Sequence, residues 1–272
     1  MAYNSGFYET SGYYGKASVS EHLVNPGIRA KFDTLLRQLV RKGRTSYTVS
    51  LDIGCGGSPF TRLVACAQRI FVDLSFVALR NLRRENPVQA DLAHLPFRPS
   101  VFQLMVGTDV LEHLPRDDLA ASELGRASKK DGILVLTVPH NPALWSSSDA
   151  YEGHFRRYTV RSLVARIAPA GFMTLSTFKV YGAYWIMRVV QARDRKRKPS
   201  VLLPEQKVTI QKTPAEFVLS DIVNVLRLLT RNKFFFALYN PLAKLISRFI
   251  MLDAGLMPLS KICEIGIIAR KN

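Results

Sequence analysis

The chain has 272 residues, of which 47% are hydrophobic and 22% charged, a balance that is typical of folded globular proteins and excludes wholesale disorder or a fibrous design. Its 38 Lys and Arg residues outnumber 21 Asp and Glu residues, and the formal charge of +17 predicts attraction to anions without identifying them. Three cysteines without a paired spacing argue against a disulfide framework or a zinc knuckle and favour the cytoplasm.

Short apolar strands alternate with helices from residue 48 onward, which predicts a doubly wound, mostly parallel α/β sheet of the Rossmann-like kind. Seven strands are expected, at 48–53, 69–72, 88–90, 101–107, 133–138, 173–180 and 264–269. Helices are expected at 59–67, at 75–85 with Ser75 as its cap, at 117–130 with Asp131-Gly132 as its stop, and at 159–168. The predicted organisation is an N-terminal lid segment (1–44), a core (45–180), a basic, apolar helical insertion (181–261) and a final core strand (262–272).

The lid and the insertion are the segments in which substrate selection is expected. The lid carries aromatic residues that would cover a ligand or would otherwise form a loosely packed tail, namely Tyr3, Phe7, Tyr8, Tyr13 and Tyr14. The insertion contains a basic run at 193–198, followed by an apolar stretch with spaced basic residues at 215–252. Those amphipathic helices would wall a pocket, contact an anionic membrane, or bury their apolar face on the core. Because charges interrupt the stretch, no transmembrane helix is predicted, and no secretory signal is evident.

A glycine-rich turn follows the first predicted strand. Asp52 ends the strand, and Gly54, Cys55 and Gly56 form the turn, where glycine lets the backbone pass close to a ligand. Such a loop alone would also suit a dinucleotide. The third glycine of the pyrophosphate fingerprint is missing, however, which argues against that ligand.

Two further acids occupy the equivalent position at the ends of the next two predicted strands. Asp73-Leu74 ends the second strand, where a carboxylate accepts ribose hydroxyls, and Asp91-Leu92 follows the third, within reach of an adenine amino group. Any one of these acids alone would more often be a helix cap or a turn residue. Three on successive strands of a parallel sheet predict a nucleoside-containing cofactor in one crevice.

At these residues the chain resembles the class I S-adenosylmethionine-dependent methyltransferases, over about residues 45–180 and the final strand. The segments Leu95-Pro96-Phe97 and Asp109-Val110-Leu111-Glu112-His113-Leu114 resemble the next block of the small-molecule members, and Ser58 departs from the family where many have another glycine. The resemblance implies S-adenosylmethionine as cofactor. The predicted cofactor-binding residues are Asp52, Gly54, Cys55, Gly56, Asp73, Leu74, Asp91, Leu92 and Asp109.

Methyl transfer from a sulfonium requires alignment of the acceptor and, for a hydroxyl, a base that takes its proton. Glu112, His113 and His154 are the candidate catalytic residues, because the two histidines follow the fourth and fifth strands and titrate near neutral pH. The alternative is that they only stabilise their loops. Arg156 and Arg157 would bind an anionic substrate group or pair with Asp149 and Glu152.

A metal is the second chemistry that these residues suggest. Asp109-x-x-Glu112-His113 with a later His154 resembles the cluster of small-RNA ribose methyltransferases and ubiquinone-pathway O-methyltransferases, in which a divalent cation engages the substrate. Asp109 stands where those enzymes have Glu, and metal-free relatives carry a similar segment. We therefore expect no metal ligands, with a divalent cation as the less favoured alternative.

The predicted function is O-methylation of a small or lipid-linked metabolite, with peripheral contact to an anionic membrane. The alternatives are an RNA methyltransferase, which the charge favours, and a catalytically inactive cofactor-binding protein. Thr108-Asp109-Val110-Leu111 lacks the Asn/Asp-Pro-Pro-Tyr type of motif expected for a nucleic-acid nitrogen target, and no RNA-binding module is recognised. Nucleic acid is therefore the less favoured partner.

Overall fold

A computed structural model describes residues 25–57, 59–83, 85–146, 149–150, 152–182 and 232–272. The aromatic residues predicted to form a lid and the basic run at 193–198 lie outside the described residues, as does Ser58. The helices and strands are α1 (Pro26–Arg41), β1 (Ser46–Ile53), β2 (Ala65–Asp73), α2 (Phe76–Leu79), β3 (Asn86–Gln89), β4 (Phe102–Thr108), α3 (Asp117–Ala127), β5 (Ser128–Pro139), α4 (Val160–Ile167), β6 (Phe172–Tyr181), α5 (Lys233–Leu256) and β7 (Glu264–Lys271).

The strands form one seven-stranded sheet in the order β3-β2-β1-β4-β5-β7-β6. The first five strands are parallel, whereas β7 is antiparallel to both β5 and β6. The predicted fold class is confirmed. The register pairs Glu264 with Pro139 and with Tyr181, so the start of β7 and the end of β6 lie at the same edge as the carboxyl ends of the parallel strands.

Helices cover both faces of the sheet. The core on one face includes side chains of α3 and α4, and that on the other includes side chains of α1. Ala30 and Leu35 of α1 are fully buried. Asn25 caps α1, its side chain accepting the backbone N–H of Gly27 and of Ile28. The described part of the predicted lid segment therefore contains a helix of the core.

Three predicted helices differ from the structure. The helix predicted at 59–67 is a single 3-10 turn, Phe60–Leu63, because β2 starts at Ala65 to pair with β1. The one predicted at 75–85 has the expected Ser75 cap, but α2 ends at Leu79 and only a 3-10 turn, Arg80–Leu82, follows it. The one predicted at 117–130 ends at Ala127, and its supposed stop, Asp131-Gly132, lies inside β5. Asp131 has a positive φ of 59°, at a register irregularity between β4 and β5 that no local pattern indicates.

Helix α5 is the described part of the predicted insertion. Among the described residues, only its segment Phe234–Leu256 is long and apolar enough to cross a membrane, by length and composition alone. We expected the charged residues of this stretch to exclude a membrane-spanning helix, and by length and composition that expectation was wrong. Within the segment, the charged residues are only Lys244, Arg248 and Asp253. Core helices of globular proteins meet the same criterion when they are buried, but α5 is mostly exposed.

Candidate active site

The glycine turn after β1 has the backbone shape that the sequence predicts. Gly54 and Gly56 adopt positive φ angles of 56° and 52°, which L side chains rarely adopt. A Cβ added to Gly54 would lie 2.5 Å from a methyl group of Val110, in the segment after β4. Glycine is therefore required both by the turn and by the close approach of the two loops.

Asp73, at the end of β2, holds this turn in place. One of its carboxylate oxygens accepts the backbone N–H of Gly56 at 2.9 Å, and the other accepts that of Ser75 at 2.9 Å. The carboxyl end of a strand in a doubly wound sheet is where such an acid accepts ribose hydroxyls. The position fits the predicted role.

The other predicted cofactor residues divide into buried and accessible ones. Asp52 is buried and accepts the backbone N–H of Thr61 at 2.7 Å, and burial raises its pKa to about 7. Cys55 and Leu92 are buried too, and burial raises the pKa of the Cys55 thiol. Leu74 is half-buried. The Asp91 side chain is 40% exposed and accepts the N–H of Ala93, so of the three predicted acids it is the most accessible to a ligand.

Asp109 has partners that the sequence does not predict. Its carboxylate pairs with the ammonium of Lys31 from α1 and accepts the hydroxyl of Thr137 at 3.1 Å. Lys31 also lies 2.9 Å from the carboxylate of Glu264. Burial alone would lower the pKa of Lys31, but the two carboxylates outweigh it and raise that pKa. Asp109 is therefore half-buried in an ion pair with the buried Lys31, beside the predicted cofactor crevice.

Glu112 is fully buried, and neither of its carboxylate oxygens has a hydrogen-bond partner among the described residues. Burial and the nearby Asp109 carboxylate raise its pKa well above the usual range. A buried carboxyl group without partners is costly, because it loses its bonds to water and gains none in return. Such a group indicates a ligand site.

Two histidines complete this cluster. The rings of His113 and His154 meet edge to face, with centroids 4.6 Å apart. Potential ligand atoms of Glu112, His113 and His154 all lie within 4.8 Å of one another. Burial and the neighbouring His154 lower the pKa of His113 to about 4, so its ring is neutral at physiological pH. The structure thus brings together the three residues that the sequence singles out for catalysis.

Asp149 orients His154. Its carboxylate lies 3.1 Å from Nδ1 of His154 and 2.7 Å from a guanidinium nitrogen of Arg157, and these partners hold its pKa below the usual range against the effect of burial. Nε2 of His154 lies 3.4 Å from the carboxylate of Glu152. The predicted pairing of Arg157 with Asp149 is present, whereas Arg156 pairs with Asp117. The arginines therefore position residues of the protein.

Sequence reasoning missed Lys31 and Glu264. Lys31 lies on an amphipathic helix, where a lysine is usually a solvated residue, and Glu264 begins a strand far along the chain. The available signal was indirect: β7 was predicted to be a core strand, and its first residue is an acid at the edge where ligands bind.

The sheet order, the glycine turn with Asp73, and the cluster after β4 are similar to the arrangement of class I S-adenosylmethionine-dependent methyltransferases. Residues 51–136 match the family model for a methyltransferase domain. This match covers the glycine turn, Asp73, Asp91 and the segment from Asp109 to His113. It ends before His154, whose role no comparison addresses.

Two curated relatives and one solved structure are similar to this chain. The chain is 33% identical over 95 residues to an uncharacterised protein of Methanocaldococcus jannaschii, covering 35% of this chain and 42% of that protein. It is 28% identical over 134 residues to a probable S-adenosylmethionine-dependent methyltransferase of Mycobacterium tuberculosis, covering 46% and 49%. The matches thus span about half or less of these curated relatives. The fold is similar to that of a Haemonchus contortus phosphoethanolamine N-methyltransferase in complex with S-adenosyl-L-methionine, with a TM-score of 0.59, 16% identity, and coverage of 100% of this chain and 60% of that one.

Proposed function

We propose that this protein transfers the methyl group of S-adenosylmethionine to a hydroxyl oxygen of a small or lipid-linked metabolite. The cluster of Glu112, His113 and His154 is the observation that carries the proposal. A neutral amine is a good enough nucleophile to attack before it loses a proton. A hydroxyl is a weak nucleophile and must lose its proton as it attacks. An imidazole that can accept this proton, beside the cofactor crevice, suits the hydroxyl.

In this proposal His154 is the general base. Asp149 holds Nδ1, so Nε2 is the atom that would accept the proton, and the Glu152 carboxylate, 3.4 Å from Nε2, would stabilise the charged ring. The neutral carboxyl of Glu112 would hydrogen-bond the acceptor oxygen and align it. S-adenosylmethionine supplies an electrophilic methyl group, and Asp73 and Asp91 would hold its ribose and adenine ends.

A divalent cation is the second chemistry that the cluster fits. Glu112 offers two oxygens without partners among the described residues, and the Asp149–His154 pair is the arrangement that orients histidine ligands of metals. Glu112, His113 and His154 would hold the ion, which would lower the pKa of a bound hydroxyl. Asp109 would not be a ligand while it pairs with Lys31.

The experiment supplies methyl-labelled S-adenosylmethionine together with either ribonuclease-treated metabolite and lipid extracts or purified RNA. Label in an organic-extractable product, as a methyl ether, supports the proposal, whereas a methyl ester or an N-methyl product would contradict the hydroxyl acceptor. Label that appears only in RNA would replace it with the RNA methyltransferase function. Repeating the reaction with a chelator separates the two chemistries, since only the cation-dependent one loses activity and regains it with added ion.

A further inference from the structure

The exposed side of α5 carries a continuous apolar face. Six large apolar residues recur at intervals of three and four residues, which places them on one side of the helix: Leu238, Leu242, Leu245, Phe249, Leu252 and Leu256. Each is between 50% and 79% exposed. Phe235 and Ile246, 44% and 38% exposed, widen this face beyond a single seam. Apolar surface of this extent is rare on a monomeric globular protein unless it binds something.

A basic groove borders the same helix. It runs between α1 and α5, has a volume of about 440 Å³, and is lined by Arg29, Arg37, Lys244 and Arg248, with Asp33 as its one acid. Arg29 of α1 donates a hydrogen bond to the side chain of Asn240 of α5 at 2.9 Å, which joins the two helices that form the groove. Arg37, Lys244 and Arg248 are exposed and form no ion pair with a described residue. The groove therefore has cations to offer to an anion.

The packing of α5 decides how it would meet a bilayer. Ala243, Ser247 and Ala254 are buried, and the helix contacts α1 and β6. Because it lies along the protein rather than projecting from it, α5 suits the plane of a membrane surface and not a span. An interfacial helix combines an apolar face with Lys and Arg beside it.

We propose that the outer face of α5 and the basic groove form a docking surface for anionic phospholipid membranes. The apolar side chains would enter the acyl boundary while Arg37, Lys244 and Arg248 bind headgroup phosphates. Nucleic acid would use the cations but would leave eight apolar side chains in water. A second copy of α5 would cover a single seam but would leave the groove cations unpaired. This surface is independent of the reaction proposed above.

The test measures co-sedimentation of the full chain with vesicles of phosphatidylcholine, with or without phosphatidylglycerol. We expect binding to the anionic vesicles that weakens with salt. Arg37→Glu/Lys244→Glu/Arg248→Glu should reduce the partition coefficient at least about tenfold, since each basic residue near an anionic surface contributes measurably to binding. Lys129→Glu/Lys130→Glu/Arg161→Glu is the matched control, because it reverses three exposed cations outside the groove and should retain binding.

A second variant, Leu242→Gln/Leu245→Gln/Phe249→Gln, removes the apolar contribution while keeping a good helix former, and should also lose binding. Circular dichroism and S-adenosylhomocysteine affinity, unchanged in all three variants, show that each is folded. Equal binding by the groove variant and its control would overturn the proposal. Salt-sensitive binding to RNA without binding to vesicles would also overturn it. So would a wild-type protein that is a dimer, does not bind vesicles, and becomes monomeric in the glutamine variant.

Discussion

The two halves of the candidate site are built in different ways. The cofactor half, around Gly54, Gly56 and Asp73, is made by adjacent loops of one sheet edge, and the hydrogen bonds of Asp73 in it join residues fewer than twenty positions apart. The acceptor half joins α1, the segment after β4 and the start of β7 through Lys31, Asp109 and Glu264. The loop after β5 joins it through the rings of His113 and His154. The first half therefore depends on backbone shape, and the second on buried charges that meet only in the folded chain.

Mutations in the two halves of the site should therefore have different effects on ligand binding and on stability. In the cofactor half, a substitution removes a contact to ligand and leaves most of the fold. In the acceptor half, removing the Lys31 charge leaves the half-buried Asp109 without a compensating cation, and removing one partner of a fully buried pair typically costs several kcal/mol. The experiments below test that separation.

The largest effect on stability is expected at Lys31. Lys31→Met leaves the half-buried Asp109 without its cation and the buried Glu264, whose pKa burial raises to about 8, without its hydrogen-bond donor. The free energy of unfolding in urea should fall by about 2 kcal/mol or more at pH 7. Asp109 would then have a raised native pKa, so the loss should shrink as the pH falls toward about 4, where the unfolded carboxylate also becomes protonated. Lys130→Met, on the surface, is the control and should change stability little. A loss at Lys31 no larger than at Lys130 would contradict the ion-pair account.

The largest effect on turnover is expected at His154. If it is the base, His154→Ala should lower kcat about a hundredfold or more and leave the Kd for S-adenosylhomocysteine near wild type. Free imidazole should restore part of the rate, because it replaces the missing proton acceptor. Activity within a few-fold of wild type would return His154 to a loop-stabilising role, and loss of cofactor affinity would place it in the other half of the site.

The sequence predicts the cofactor half well because its signals are local. The order strand, glycine turn, acid can be read from neighbouring residues, and the parallel sheet then brings Asp52, Asp73 and Asp91 to one edge. The acceptor half is predicted only in part. Glu112, His113 and His154 are visible as residue types, but Lys31 pairs with Asp109 across 78 positions, which periodicity cannot reveal. The same limit explains the position of Asp131-Gly132, where strand pairing prevails over a local stop signal.

A smaller effect, confined to binding, is expected at Asp73. Asp73→Ala removes an acceptor for ribose and the anchor of Gly56, and should weaken S-adenosylhomocysteine binding by about 2 kcal/mol or more in calorimetry. Asp118→Ala removes an exposed acid paired with Arg116 and should leave affinity unchanged. Unchanged affinity in Asp73→Ala would remove this residue from the cofactor site.

The smallest effect is a pH dependence that His113 adds to stability. Its native pKa is lowered to about 4 from an ordinary value of 6.5, because burial and His154 disfavour the charged ring. Between these two values the unfolded chain takes up a proton that the native chain refuses, so stability is present above about 6.5 and is lost as the pH falls toward about 4. The loss should be about 1–2 kcal/mol, less than the full shift implies because the ring is not completely enclosed.

His113→Asn isolates this contribution, since the variant has no group that titrates at that position. Other acids and bases titrate in both proteins and cancel in the difference, apart from their coupling to His113. The unfolding free energies of wild type and variant should therefore diverge across pH 4–6.5 and run parallel above it. Parallel curves throughout would show that the ring is not held neutral by its surroundings. A divergence that grows when a divalent cation is added would show that an ion binds the neutral ring, because such binding opposes protonation further.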